Sequence, residues 1–133
     1  MKNRRPVLLA GAAMLLAAGL LLFWGHRPFR GLEAADIASA SVQLFPPDVT
    51  MELDRTEIET LTALLRDVRV TRRDDSYAEY CGQAVVFALT LADGTEVSVT
   101  AYAPFLVIDG AGWRAAYAPC KALNVFANRL PGA

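Results

Sequence analysis

Val7 to Trp24 reads VLLAGAAMLLAAGLLLFW, 18 residues without a charge. No other feature limits so sharply what the chain can fold into. As a helix the run is about 27 Å long, close to the ~30 Å of hydrocarbon in a bilayer. KNRR precedes it, and Trp24, His26, Arg27 and Arg30 mark its far end. A Trp suits the membrane interface, and basic side chains beyond it reach the headgroups. Two readings compete: a cleaved secretory signal or a retained anchor. A signal has a shorter apolar region and a small-x-small cleavage site. This run is long, ends in the bulky LLLFWGHRPF, and has no Cys near its end for lipid attachment. The reading adopted is a retained single-pass segment over residues 7–24. Lys2, Arg4 and Arg5 before it, against Arg27 and Arg30 after it, favour an inside N-terminus and an outside C-terminal domain.

The charge divides at the same place. Residues 1–30 carry five bases and no acid, whereas residues 31–133 hold eight bases and all 14 acids. The expected organisation is a cytoplasmic stub and anchor over 1–30 and one extracytoplasmic domain over 31–133. A stretch of that length supports one small core, not two. Its acidity repels phosphate backbones, so a nucleic-acid partner is not expected.

Residues 25–36, GHRPFRGLEAAD, read as a juxtamembrane linker. In SASVQLF, Val42 and Leu44 alternate with polar neighbours, as a half-buried strand requires. FPPD interrupts it, because proline cannot donate to a strand ladder. VTMEL alternates again and suggests a hairpin partner. Asp54 followed by Glu57 makes a capping box, and Ile58, Leu61, Leu64, Leu65 and Val68 share one helical face. A helix is expected over Arg55 to Asp67, then a strand in VRVTRR. AVVFALTL and TEVSVTAY form a hairpin across Asp93-Gly94, a favoured tight-turn pair. FLVI and GWRAAY form a second across Asp109-Gly110-Ala111. Pro119 is expected to open a last helix, ended by Pro131-Gly132. The fold class is α+β: one antiparallel sheet in ββαβββββα order, with two helices packed on one face.

Little here is chemical. The single His, His26, stands at the membrane edge, so no Ser-His-Asp set, Cys-His pair or His-rich zinc site is available. Asp74, Asp75 and Glu79 share a loop, but their spacing does not match a calcium loop and Arg72-Arg73 adjoins them. No catalytic residue, metal or cofactor is expected. Cys81 and Cys120 admit two readings: a disulfide outside the membrane, or two unpaired thiols with Cys120 buried as a small apolar residue. The bridge is adopted. Tyr77, Tyr80, Tyr102, Phe105, Trp113 and Tyr117 lie in loops and at strand ends. They either fill the rim of a small core or form a binding surface. If they bind, Tyr77, Tyr80, Tyr102 and Trp113 are the candidates.

The phrases EYCGQ, FALTLADGTEVSV, AYAPFLVIDGAGWR and YAPCKALNVFANRL together resemble small extracytoplasmic domains of uncharacterised function in Gram-positive bacteria of the Firmicutes. Such domains follow a single membrane helix, and related ones are joined to membrane-bound sensor metallopeptidases. The resemblance covers roughly residues 32–131 and implies a tethered outer domain, with no catalytic residues to carry over. No HExxH occurs. The functional expectation is a non-enzymatic interaction or sensing module that binds an envelope protein or peptide. The alternatives are an inhibitor or chaperone-like domain acting on an envelope protease and, last, a small carboxylate hydrolase.

Overall fold

The computed structural model describes residues 25–45, 48–79 and 83–133. The expected span over 7–24 and the Pro46-Pro47 break lie outside these residues. Among the described residues no helix is long and apolar enough to cross a membrane. The elements follow the expected order. Two strands, β1 (Ile37–Phe45) and β2 (Val49–Glu52), precede helix α1 (Arg55–Asp67). Five follow: β3 (Val70–Arg73), β4 (Ala84–Leu91), β5 (Glu96–Tyr102), β6 (Phe105–Ile108) and β7 (Ala111–Ala115). Helix α2 (Tyr117–Asn128) comes last.

The strands make one seven-stranded sheet in the order β2-β1-β4-β5-β6-β7-β3, and every pairing is antiparallel. Local chemistry accounts for the hairpins. Asp109 (φ 49°) and Gly110 (φ 82°) occupy the left-handed region that a two-residue hairpin turn demands. The Asp93 carboxylate accepts from the Thr95 amide at 2.9 Å and fixes the β4–β5 turn. Ala103-Pro104, joined by a cis peptide, turns β5 into β6. In α1 both bonds of the capping box form: the Glu57 amide donates to Asp54 Oδ1 at 2.7 Å, and the Asp54 amide to Glu57 Oε1 at 2.9 Å.

Both helices pack on the same face, against β1 and against each other. Register stacks Val42, Phe87 and Val99 side by side, and Leu44, Val85 and Ala101 beside them. Ile58, Leu61 and Leu65 of α1 and Cys120, Leu123 and Ala127 of α2 close this core. β2 and β3 are opposite edges, so α1 carries the chain across the whole sheet.

The structure differs from expectation in two places. α2 begins at Tyr117 rather than Pro119. Proline is tolerated there because the first-turn amides have no partner inside a helix. Residues 25–36 are not a free linker. His26 and Val70 exchange backbone hydrogen bonds, 2.9 Å each way. Arg27 Nε donates to the Arg66 carbonyl at 2.6 Å, and Arg55 reaches back to the carbonyls of Ala34 and Ile37. Edge strands leave backbone groups unpaired, and the segment at Gly25-His26 satisfies part of β3. The sheet's other face, which the strand pattern leaves either solvated or covered, is partly roofed. Phe105 and Val107 point away from the helices yet are buried. The loop after β3 lies over that side, with the Tyr77 ring against Gly112.

Candidate functional site

Ile58, Leu61, Leu64 and Leu65 on α1, with Val68 at its C-cap, form a broad apolar face. Ile58, Leu61, Leu65 and Val68 are buried, whereas Leu64 is only half-buried, turned toward α2. α2 likewise buries one row and leaves Val125 and Phe126 half-covered. Between the helices runs an open, mostly apolar groove of about 710 Å³. Its floor includes Phe126, whose ring stacks on the buried Phe87 of β4 with centroids 6.3 Å apart and planes at 29°. Tyr117 stands at one end, 58% exposed. Tyr117 and Phe45 are the large apolar side chains left exposed among the described residues, and of the two Tyr117 borders the groove. Lys121 Nζ lies 5.6 Å from the Tyr117 ring, and Arg129 lines the far end of the same wall. Glu57 and Thr60 line the α1 wall.

The four aromatic residues singled out from sequence do not converge. Tyr102 does adjoin the groove, through a 320 Å³ recess that it shares with Tyr117 and Lys121. Tyr77 is on the opposite side of the sheet, flat against Gly112. Trp113 follows Gly112 in β7 and therefore faces the other way. It packs against the core, edge-on to His26 at 5.8 Å and under the Arg73 guanidinium at 5.4 Å. Tyr80 lies outside the described residues. Sequence reasoning missed Leu64 and Val125 as groove residues and named Tyr117 among the loop and strand-end aromatics but not among the binding candidates.

Among the described residues Cys120 has no disulfide partner, and its buried thiol donates to the Phe105 carbonyl at 3.1 Å. Burial pushes its pKa up to about 11, which makes it a poor nucleophile. Cys81 lies outside the described residues. Asp74 sits at the centre of the loop's polar contacts. Its carboxylate accepts from the Ser76 amide at 3.0 Å and from Arg114 Nε at 2.9 Å. The Ser76 bonds, then Arg114, hold it well below the usual carboxylate range. The same Arg114 guanidinium covers the Phe105 ring at 4.5 Å, so the cluster clips the loop to the sheet. Among the described residues no three His, Cys, Asp or Glu side chains are placed to hold a metal ion. No family model matches the chain, no curated protein is similar to it, and no solved structure matches it.

Proposed function

We propose that the chain is a single-pass membrane protein whose outer α+β domain binds an envelope protein or peptide without catalysing a reaction. The occupant of the interhelical groove is a short amphipathic peptide segment. Its apolar side chains cover Leu64, Val125 and Phe126, and its carboxylates meet Lys121 and Arg129. The observation that carries this reading is an apolar channel between two helices with an open Tyr at its mouth. Grooves of this form take an apolar helix face or strand. The uncharged run over 7–24 supports the anchor, and the resemblance to tethered outer domains agrees with it.

The test uses the full chain in intact cells, with a photo-reactive residue at Tyr117 or, as control, at the exposed Glu59 of α1. A discrete cross-linked species is expected from position 117 alone. It should disappear when Ala122→Arg fills the groove. Equal cross-linking from both positions, or a product that survives Ala122→Arg, would overturn the proposal.

A further inference from the structure

Gly25 follows the last residue of the uncharged run and is already part of the fold. Its φ is +72°, and a Cβ there would fall on the Val70 carbonyl oxygen and 3.1 Å from the Thr71 Cα. Only glycine permits that approach. With His26 paired both ways to Val70, β3 is tied within two residues of Trp24, with no spacer between. Whatever surface holds residues 7–24 therefore holds the β3 edge beside it.

The charge of the domain is segregated along the same direction. Residues 25–133 contain ten cationic side chains, and six lie at or next to this edge: Arg27, Arg66, Arg69, Arg72, Arg73 and Arg114. Four of the 14 acids belong to the same stretch, Glu79 and then Asp67, Asp74 and Asp75, of which the last three are ion-paired. Those three pair with Arg27, Arg72, Arg73 and Arg114 at 2.9–4.0 Å. Arg66 and Arg69 hold no ion pair among the described residues. The Arg72 side chain is 70% exposed despite its long contact to Asp74. The remaining acids surround the rest of the domain, some at the β2 edge, six strand spacings or about 29 Å away. That exceeds a Debye length of about 8 Å at physiological salt, so the acids at the β2 edge do not cancel the field at the β3 edge.

We propose that the β3 edge is a lipid-facing surface. Arg66, Arg69 and Arg72 bind the phosphates of anionic phospholipids and hold the domain in one orientation on the bilayer. Basic side chains beside a membrane segment are attracted to anionic leaflets. An acidic globule on a free tether would be repelled by the same leaflet. Placing the arginines at the attachment point turns repulsion into alignment. This inference rests on the anchor reading above.

The test is hydrogen exchange of the full chain in nanodiscs of phosphatidylcholine alone or mixed with phosphatidylglycerol. Amides of residues 66–75 are expected to exchange at least about threefold more slowly on the anionic discs. Amides of α2 should not change. The difference should vanish at high salt and in the triple variant Arg66→Gln, Arg69→Gln, Arg72→Gln, whose circular dichroism stays native. Equal exchange on both discs, from a chain that remains with them, overturns the lipid surface alone. A chain that elutes apart from both discs overturns the anchor and this proposal together.

Discussion

Gly112 is where the loop after β3 meets the sheet, and Gly112→Ala tests that contact directly. Three hydrogen bonds clamp the position: Asp74 N to Gly112 O at 2.9 Å, Arg73 Nη1 to the same oxygen at 3.0 Å, and Gly112 N to Asp75 Oδ1 at 2.8 Å. An added Cβ would fall on the Asp74 carbonyl oxygen and 2.7 Å from Cδ1 of Tyr77. The ring can turn aside, but the carbonyl belongs to a backbone held at both ends. One methyl forced into a filled site costs about 1–3 kcal/mol. Removing glycine's unfolded-state freedom returns about 0.4–1 kcal/mol. At the middle of each range the net loss is about 1.3 kcal/mol, or about 5–10 °C in Tm for a domain of this size. Gly31→Ala is the control, since nothing lies within 4 Å of a Cβ there. Thermal unfolding of the full chain in nanodiscs, followed by circular dichroism, reads both variants. A Gly112→Ala protein that melts with the Gly31→Ala protein would show that the loop does not lie on the sheet. Adding Tyr77→Ala to Gly112→Ala should not restore Tm, because the backbone clash remains.

Asp54→Ala removes the cap of α1 and should lower stability by about 1 kcal/mol, read as a shift of the urea midpoint at constant slope. Asp74 is held below its ordinary range in the folded domain, so its contribution is fully present above the unfolded value near pH 4 and fades as pH falls toward the folded one. Asp74→Asn should therefore melt earlier than the wild type at pH 7, and the two curves should approach each other below about pH 4. Cys120 should resist a water-soluble maleimide in the folded protein because it is fully buried. Counting labels after unfolding without reductant then reads the pairing with Cys81, none for a bridge and two for free thiols.

Elements whose causes are local were legible in the sequence. The capping box and the 3.6-residue spacing of Ile58, Leu61 and Leu65 placed α1 at its observed bounds. Asp-Gly pairs and alternation placed β4 against β5 and β6 against β7, because positive φ and period two are written in residue types. Pairings without a connecting turn were not legible. β1 lies beside β4 and β3 beside β7, each across a long sequence separation where register depends on the assembled core. The fastening of residues 25–26 was hidden for a different reason. It is made by backbone groups, which carry no side-chain signature. The groove was half legible. Leu64 was on the apolar face of α1, and the clue was the width of that face. The aromatic residues misled because position in a loop says nothing about which side of the sheet the loop crosses. Tyr77 and Trp113 are near neighbours of Gly112 on opposite faces.

The two proposed surfaces constrain each other through α1. The helix starts beside the β2 edge and ends at Asp67, which pairs with Arg27 at 3.5 Å where the chain joins the apolar run. With the β3 edge against lipid, α1 descends toward the bilayer. Its 13 residues span about 20 Å. Glu57 then lies at the outer end of the groove and Leu64 nearer the membrane. The groove opens sideways along the wall of the domain, within reach of a peptide that lies above the bilayer or rises from it. A partner seated there would slow exchange in α2 while leaving residues 66–75 under lipid control. Ala122→Arg should then remove only the first protection, and the triple Arg→Gln variant only the second. If one variant abolished both, the surfaces would be coupled, and the division of the domain into a lipid edge and a peptide wall would be wrong.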